Sequence, residues 1–202
     1  MKLYYAPGAC SLAPHIVLCE LGKKFDMEKV DLGVKQTESG KDFNKVNAKG
    51  YVPTLELKKG EVLTEVSTIL QYLADKAKAT KMLPKAGTMA RYRAMETLNF
   101  VASELHKSIG GLFAKGMPEE GRQIILERVN KRLDYVESVL AKTKFLTGKS
   151  FSVADAYAFT VMNWCKGLGI DLSARKNISR FMADMAKRPS VQAAMKAEGL
   201  LG

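Results

Sequence analysis

Hydrophobic and polar positions follow two different rhythms along the chain, and the change falls near residue 80. Before it, short strand-like and helix-like runs alternate. Leu3–Tyr5 is a brief apolar run that ends at the turn signal Pro7-Gly8. Between Ser11 and Leu21 the apolar positions Leu12, Ile16 and Cys19 keep helical spacing, and Gly22 stands where a helix C-terminal cap belongs. Met27–Leu32 reads as a second strand, which a right-handed crossover lays parallel to the first. Residues 33–50 are polar and punctuated by glycine, predicting a mobile loop with a short helix near Lys41–Val46. Val52–Leu57, the turn Lys58-Lys59-Gly60 and Val62-Leu63 carry a hairpin signal. Glu65–Ala77 follows as a helix, with Ile69, Leu70, Tyr72 and Leu73 at close to 3.6-residue spacing.

The order βαβ then ββα is that of a thioredoxin-like fold over residues 1–80. From Lys78 to Thr88 the composition turns to Lys, Ala, Thr, Pro84 and Gly87, which reads as a linker. Every long segment beyond it has a helical period: about Met89–Ala114, Pro118–Ala141, Val153–Leu168 and Ile178–Ala186, with a short helix after Pro189. The fold class is therefore α/β plus all-α, an N-terminal thioredoxin-like domain followed by an all-helical C-terminal domain over residues 88–202. Ser152 as N-cap and Asp155 at the third helical position form a capping-box variant, with Phe151 at the staple position and Ala156 as its partner there.

Bulk properties narrow the class. Of the 202 residues 47% are hydrophobic, yet no apolar run approaches the roughly 20 residues of a membrane span. Met1–Tyr5 reaches Pro7-Gly8 without an apolar leader core, so the cytoplasm is the expected location. A net charge of +11 raises the question of nucleic acid. The lysines are scattered in pairs such as Lys23-Lys24 and Lys58-Lys59, with no basic tract or interleaved aromatics, which argues for a solvated surface. Three cysteines, at 10, 19 and 165, have neither disulfide nor zinc spacing, so no metal is expected. Cys19 and Cys165 read as packing residues.

Cys10 differs by position. It follows a strand and a Pro-Gly turn at the start of a helix, where backbone N–H groups and the helix dipole favour a thiolate. A second constellation lies in the helical half: Asn99, Ser103, His106 and Gly110 fall within about 40° of one line on an α-helix. Such a stripe of uncharged hydrogen-bonding groups beside a glycine gap reads either as one wall of a polar cleft or as a satisfied His at an interface. A Cys10–His106 pair matches the needs of a papain-like protease, but no local signature of such an enzyme surrounds Cys10.

The chain resembles a bacterial beta-class glutathione transferase. The resemblance is carried by Met1–Tyr5 through Pro7–Leu12, Val52-Pro53, Leu63–Glu65, Gln71–Asp75, Asn99 with Glu104–Lys107, Phe151–Tyr157, and the tail from Arg188-Pro189 to Glu198-Gly199. Together these pieces span nearly the whole chain.

This resemblance implies a homodimer in which the first domain holds glutathione and the helical domain supplies a pocket for small hydrophobic electrophiles. It implies a cis Pro53 that aims the Val52 backbone at the cysteinyl part of glutathione in strand-like pairing. Glu65 would bind the γ-glutamyl ammonium, and the amides of Val66 and Ser67 the carboxylate. The family usually has Ser where Val66 stands, so that hydroxyl is missing or supplied by Ser67. Lys35 matches the position that approaches the glycyl carboxylate. Asn99, Ser103, Glu104 and His106 match positions that complete the site, some of them across the dimer. Cys10 would stand beside the glutathione sulfur, either steadying its thiolate for attack on an electrophile or entering thiol–disulfide exchange. Ser11 and Tyr5 offer alternative hydroxyls, and Ile109, Leu112, Phe113 and Trp164 are the expected pocket walls. The competing expectation is a non-catalytic relative that kept the fold as an interaction protein.

Overall fold

Strand β1 (Lys2–Tyr5) runs parallel to β2 (Asp26–Asp31), with helix α1 (Leu12–Glu20) between them in sequence. Leu12, Ile16, Val17 and Leu18 of α1 are buried, which is why the apolar spacing there reads as helical. The polar stretch after β2 is more structured than a plain loop. It contains a two-residue strand β3 (Gln36–Thr37) antiparallel to β2, and a 3-10 turn at Phe43–Lys45 capped by the Asp42 side chain, which accepts from Asn44 N. Phe43 is the anchor: it is fully buried with Val30 and Val52, its ring 5.7 Å from that of Tyr4.

Strands β4 (Thr54–Lys58) and β5 (Glu61–Thr64) form the expected antiparallel hairpin, and α2 (Val66–Lys76) follows. The structure, a computed structural model, describes residues 1–58 and 60–201, so Lys59 of the expected turn lies outside the described residues. The strands form one five-stranded sheet in the order β3-β2-β1-β4-β5. Register fixes what matters for function. Tyr4 pairs with Thr54, and Thr54 with Thr64. The segment after β1, the Val52–Pro53 peptide before β4 and Glu65 after β5 therefore all emerge at the same end of the sheet.

The chain divides into two units, Met1–Ala79 with Arg188–Gly202, and Thr80–Lys187. The tail thus departs from the 88–202 boundary: helix α8 (Pro189–Ala197) belongs with the sheet and packs against α1. Ser190 Oγ donates to Glu20 Oε2 at 2.5 Å, and Arg188 pairs with the same carboxylate. Helical period shows that a segment has an apolar face; it does not say which unit that face covers.

In the helical unit the segment read as one helix over 89–114 is three pieces. Helix α3 (Met89–Phe100) passes into a π-helical segment, Val101–His106, before α4 (Lys107–Gly111). Helices α5 (Glu119–Leu140), α6 (Val153–Gly167) and α7 (Lys176–Ala186) complete it. Residues 153–162 of α6 are buried throughout, as befits a helix that is apolar on every side. Its capping box is present: the Asp155 carboxylate accepts from Ser152 N at 2.8 Å, Ser152 Oγ at 2.6 Å and Leu146 N at 2.8 Å. Phe151 meets the edge of Phe145 with ring centroids 6.3 Å apart, a larger partner than the Ala156 expected from spacing. The stretch read as a linker is pinned by buried Met82 and Leu83, and Val153 N donates to Met82 O.

Candidate active site

Cys10 lies in the turn two residues ahead of α1, and its thiol donates to Val52 O at 3.3 Å. The Val52–Pro53 bond is cis, as expected. Ser11, in contrast, is 0% exposed. Its Oγ accepts from Ala6 N and donates to Ala6 O, both at 3.2 Å. The Ser11 hydroxyl therefore closes the turn that carries Cys10, bonded to the Ala6 backbone and buried, where the alternative-hydroxyl role expected of it calls for an accessible group. Tyr5 is half-buried, and burial pushes its hydroxyl above the ordinary tyrosine range.

The turn is held from the tail. Gly8 N donates to Glu198 Oε2 at 2.9 Å, and His15 Nδ1 lies 2.8 Å from Glu198 Oε1. In the tautomer that matches a carboxylate acceptor, His15 donates its Nδ1–H to Glu198 Oε1. His15 and Glu198 are both buried. Their pairing is not legible in local pattern, because the contact joins positions 183 residues apart.

Glu65 opens α2 with φ +70° and ψ 120°, a conformation rare for a residue with a side chain. Such a residue costs about 1–3 kcal/mol and persists where its surroundings over-determine it. Here the carboxylate receives Lys49 Nζ at 2.6 Å and Tyr51 OH at 2.6 Å, both on Oε1. Val66 and Ser67 form the first turn of α2, whose amides no α-helix satisfies internally. Val66 is buried, so its side chain serves the core. Lys35, also at positive φ, turns its ammonium onto Gly50 O at 2.8 Å instead of standing in solvent.

The stripe in the helical unit is split. A π-helical turn advances less per residue than an α-helix, so phases computed with a uniform 3.6-residue turn fail across Val101–His106. Ser103 and Glu104 line a cavity of about 270 Å³ with Lys107, Ser108, Arg128 and Arg132. Glu104 pairs there with Arg132 Nε at 2.5 Å, while Ser103 Oγ returns to Asn99 O at 2.9 Å. His106 turns elsewhere, toward α6. Its Nδ1 is 2.6 Å from Tyr157 OH, and its ring meets Trp164 edge-on at 5.0 Å. Gly110 does share the His106 face, since a Cβ there would sit 3.4 Å from His106 Cδ2 and 3.7 Å from Trp164.

Of the expected pocket walls, Ile109 and Leu112 are buried and belong to the core. Phe113, 54% exposed, stacks edge-on against half-buried Trp164 at 5.8 Å. The accessible apolar surface in this region is thus the ring series Trp164–Phe113 beside His106. Cys165 is buried and its thiol is pushed up to about 11 by burial, in keeping with a packing role. Among the described residues no group of three or more His, Cys, Asp or Glu side chains could hold a metal ion, and no helix is long and apolar enough to cross a membrane.

A thioredoxin-like unit followed by a helical unit is the two-domain architecture of the glutathione transferases. The family models concur: "Glutathione S-transferase, N-terminal domain" matches residues 8–76 and "Glutathione S-transferase, C-terminal domain" residues 103–189. The chain is 44% identical over 200 residues to glutathione S-transferase GstA of Escherichia coli O157:H7, covering 99% of this chain and 100% of that protein. A sphingomonad glutathione S-transferase solved in complex with glutathione superposes with a TM-score of 0.95 at 44% identity, over 99% of this chain and 100% of that one. The bacterial beta-class enzyme of Sphingomonas chungbukensis gives a TM-score of 0.95 at 44% identity, over 100% of both chains. The chain belongs to the glutathione transferase family, with its likeness running to the bacterial beta class. It is a transferase that uses glutathione as co-substrate.

Proposed function

We propose that Cys10, Lys35, Val52, Pro53, Glu65, Val66 and Ser67 form the first unit's glutathione site. The observation that carries this reading is the convergence of the Cys10 turn, the Val52–Pro53 peptide and the start of α2 at one end of the sheet. Glutathione is an extended peptide with an α-ammonium and carboxylate at one end and a thiol in the middle. Val52 pairs with its cysteinyl backbone, Glu65 holds its ammonium, and the first-turn amides of α2 at Val66 and Ser67 receive its α-carboxylate. Lys35 takes the glycyl carboxylate. In the helical unit Asn99, Ser103, Glu104 and His106 are the proposed glutathione contacts, made in a cytoplasmic homodimer. Exposed Met89 and Tyr92 on α3 support association, since large apolar side chains exposed together mark interaction surfaces.

The Cys10 thiol already donates to Val52 O, the acceptor that strand-like pairing offers to glutathione. It therefore stands beside the glutathione sulfur and can serve two reactions. In conjugation it steadies the glutathione thiolate that attacks a small hydrophobic electrophile. In exchange the Cys10 thiolate attacks glutathione disulfide, forming a Cys10–glutathione mixed disulfide and releasing glutathione thiolate. The test uses the full chain: turnover of a model aryl halide with glutathione, and intact mass after incubation with glutathione disulfide. Cys10→Ala loses the added glutathionyl mass while conjugation persists. A mixed disulfide surviving in Cys10→Ala, or no turnover by the wild type, contradicts the reading.

A further inference from the structure

One short strap, residues 47–52, engages the groups that the proposed site assigns to glutathione. Val52 O takes the Cys10 thiol, Gly50 O takes Lys35 Nζ, and Lys49 and Tyr51 both reach Glu65 Oε1. Asn47 fixes the strap from beneath, donating through Nδ2 to Tyr51 O at 2.8 Å and Thr54 Oγ1 at 2.9 Å. Lys49 Nζ has a second acceptor in Thr64 Oγ1 at 3.0 Å, at the last residue of β5. The ammonium on Glu65 is therefore seated in a defined place by two acceptors and a neighbouring hydroxyl.

We propose that Lys49 is a built-in competitor for the α-ammonium of the incoming peptide. Its side chain occupies the Glu65 carboxylate in the free protein and must be displaced when glutathione binds. The inference rests on the assignment of Glu65 to that ammonium. The two cations are chemically alike, and two ammonium charges brought to one carboxylate repel each other, so each weakens the other's hold on Glu65. The Lys49 and Glu65 side chains are 48% and 54% exposed, which keeps the pair in a high dielectric and makes it readily exchanged. Tethering compensates for that weakness, because a group on a short link is present at an effective concentration of millimolar order. The consequence is a lowered affinity for ammonium-bearing ligands alone. A ligand that lacks the ammonium leaves the Lys49–Glu65 pair in place and loses nothing to it.

Titration calorimetry on the full chain tests this with two probes, S-methylglutathione and its des-amino analogue, in which glutaryl replaces γ-glutamyl. Lys49→Met is expected to tighten S-methylglutathione by about two- to fivefold, the value of an exposed ion pair, and to leave the analogue unchanged. Lys49→Gln is expected to do the same, guarding against any effect of a new apolar side chain on folding. Lys49→Arg keeps the competing charge and is expected to stay within about twofold of the wild type. Unchanged or weaker S-methylglutathione binding in both neutral variants overturns the proposal, as does equal tightening of both ligands. If the wild type fails to bind S-methylglutathione, the Glu65 assignment falls and the competitor role with it. If the wild type binds and the Lys49 variants show no ligand-dependent difference, the competitor role alone is lost.

Discussion

Replacing Glu198 with alanine removes one carboxylate that accepts from both the Gly8 amide, at 2.9 Å, and His15 Nδ1, at 2.8 Å. Hydrogen bonds to a charged group contribute about 1.5–3 kcal/mol each. Taken together, about 3 kcal/mol of stability is expected to go. For a chain of this length each kcal/mol moves the thermal midpoint by about 2–4 °C, so a fall of about 6–12 °C is predicted. Glu198→Gln retains one acceptor oxygen and is expected to lose about half as much. Because the same carboxylate holds the turn before Cys10, alkylation of Cys10, followed by peptide mass spectrometry, should accelerate in Glu198→Ala. A His15→Ala, Glu198→Ala cycle should show coupling of about 1–3 kcal/mol. A midpoint within about 1 °C of the wild type, together with an unchanged Cys10 alkylation rate, refutes the idea that the tail supports the turn.

Tyr157→Phe removes the hydroxyl 2.6 Å from His106 Nδ1 and should lower kcat/KM for conjugation about two- to tenfold, with little change in thermal midpoint, in steady-state assays. Asp155→Ala strips the buried acceptor of Ser152 N, Ser152 Oγ and Leu146 N, and should destabilise the protein by about 2–4 kcal/mol, measured by urea unfolding. Burial alone raises the Glu28 carboxyl, but hydrogen bonds from Lys2, Ser39 and Thr37 outweigh it and hold the group at about 2. A depressed carboxylate stabilises the fold above the ordinary carboxylate range and loses that contribution as pH falls toward its folded value. The midpoint difference between wild type and Glu28→Gln should therefore shrink steadily from about pH 5 to about pH 2, and a pH-independent difference would oppose this.

Elements with a clear period are legible in the amino-acid sequence: β1, α1, the β4–β5 hairpin, α2 and the capping box at Ser152 and Asp155 each follow from local pattern. Cys10 stands out by its place between a Pro-Gly turn and a helix, whereas Val52, Pro53 and Glu65 enter the proposed site through the family resemblance and not through local pattern. What local pattern leaves out is non-local or a matter of phase. The π-helical turn at Val101–His106 keeps a helix-like alternation of apolar positions while rotating everything after it, so Ser103 and His106 share a line by α-helical count and point to different neighbours in the fold. Ser11 reads as a spare hydroxyl because its partner, the Ala6 backbone, offers no side-chain signal. Lys49 and Glu198 are hidden for a similar reason: each acts through a partner distant in sequence, at separations of 16 and 190 residues for the contacts to Glu65 and Gly8.

In the proposed site glutathione is held at the end of the sheet where β1, β4 and β5 deliver Cys10, Val52–Pro53 and Glu65. A crystal structure of the full chain soaked with reduced glutathione tests it most directly. The cysteinyl backbone is expected to pair with Val52, the α-ammonium to lie within hydrogen-bonding distance of the Glu65 carboxylate, and Lys49 Nζ to have moved away from it. Glutathione bound with its ammonium elsewhere, while Lys49 remains on Glu65, would overturn this placement.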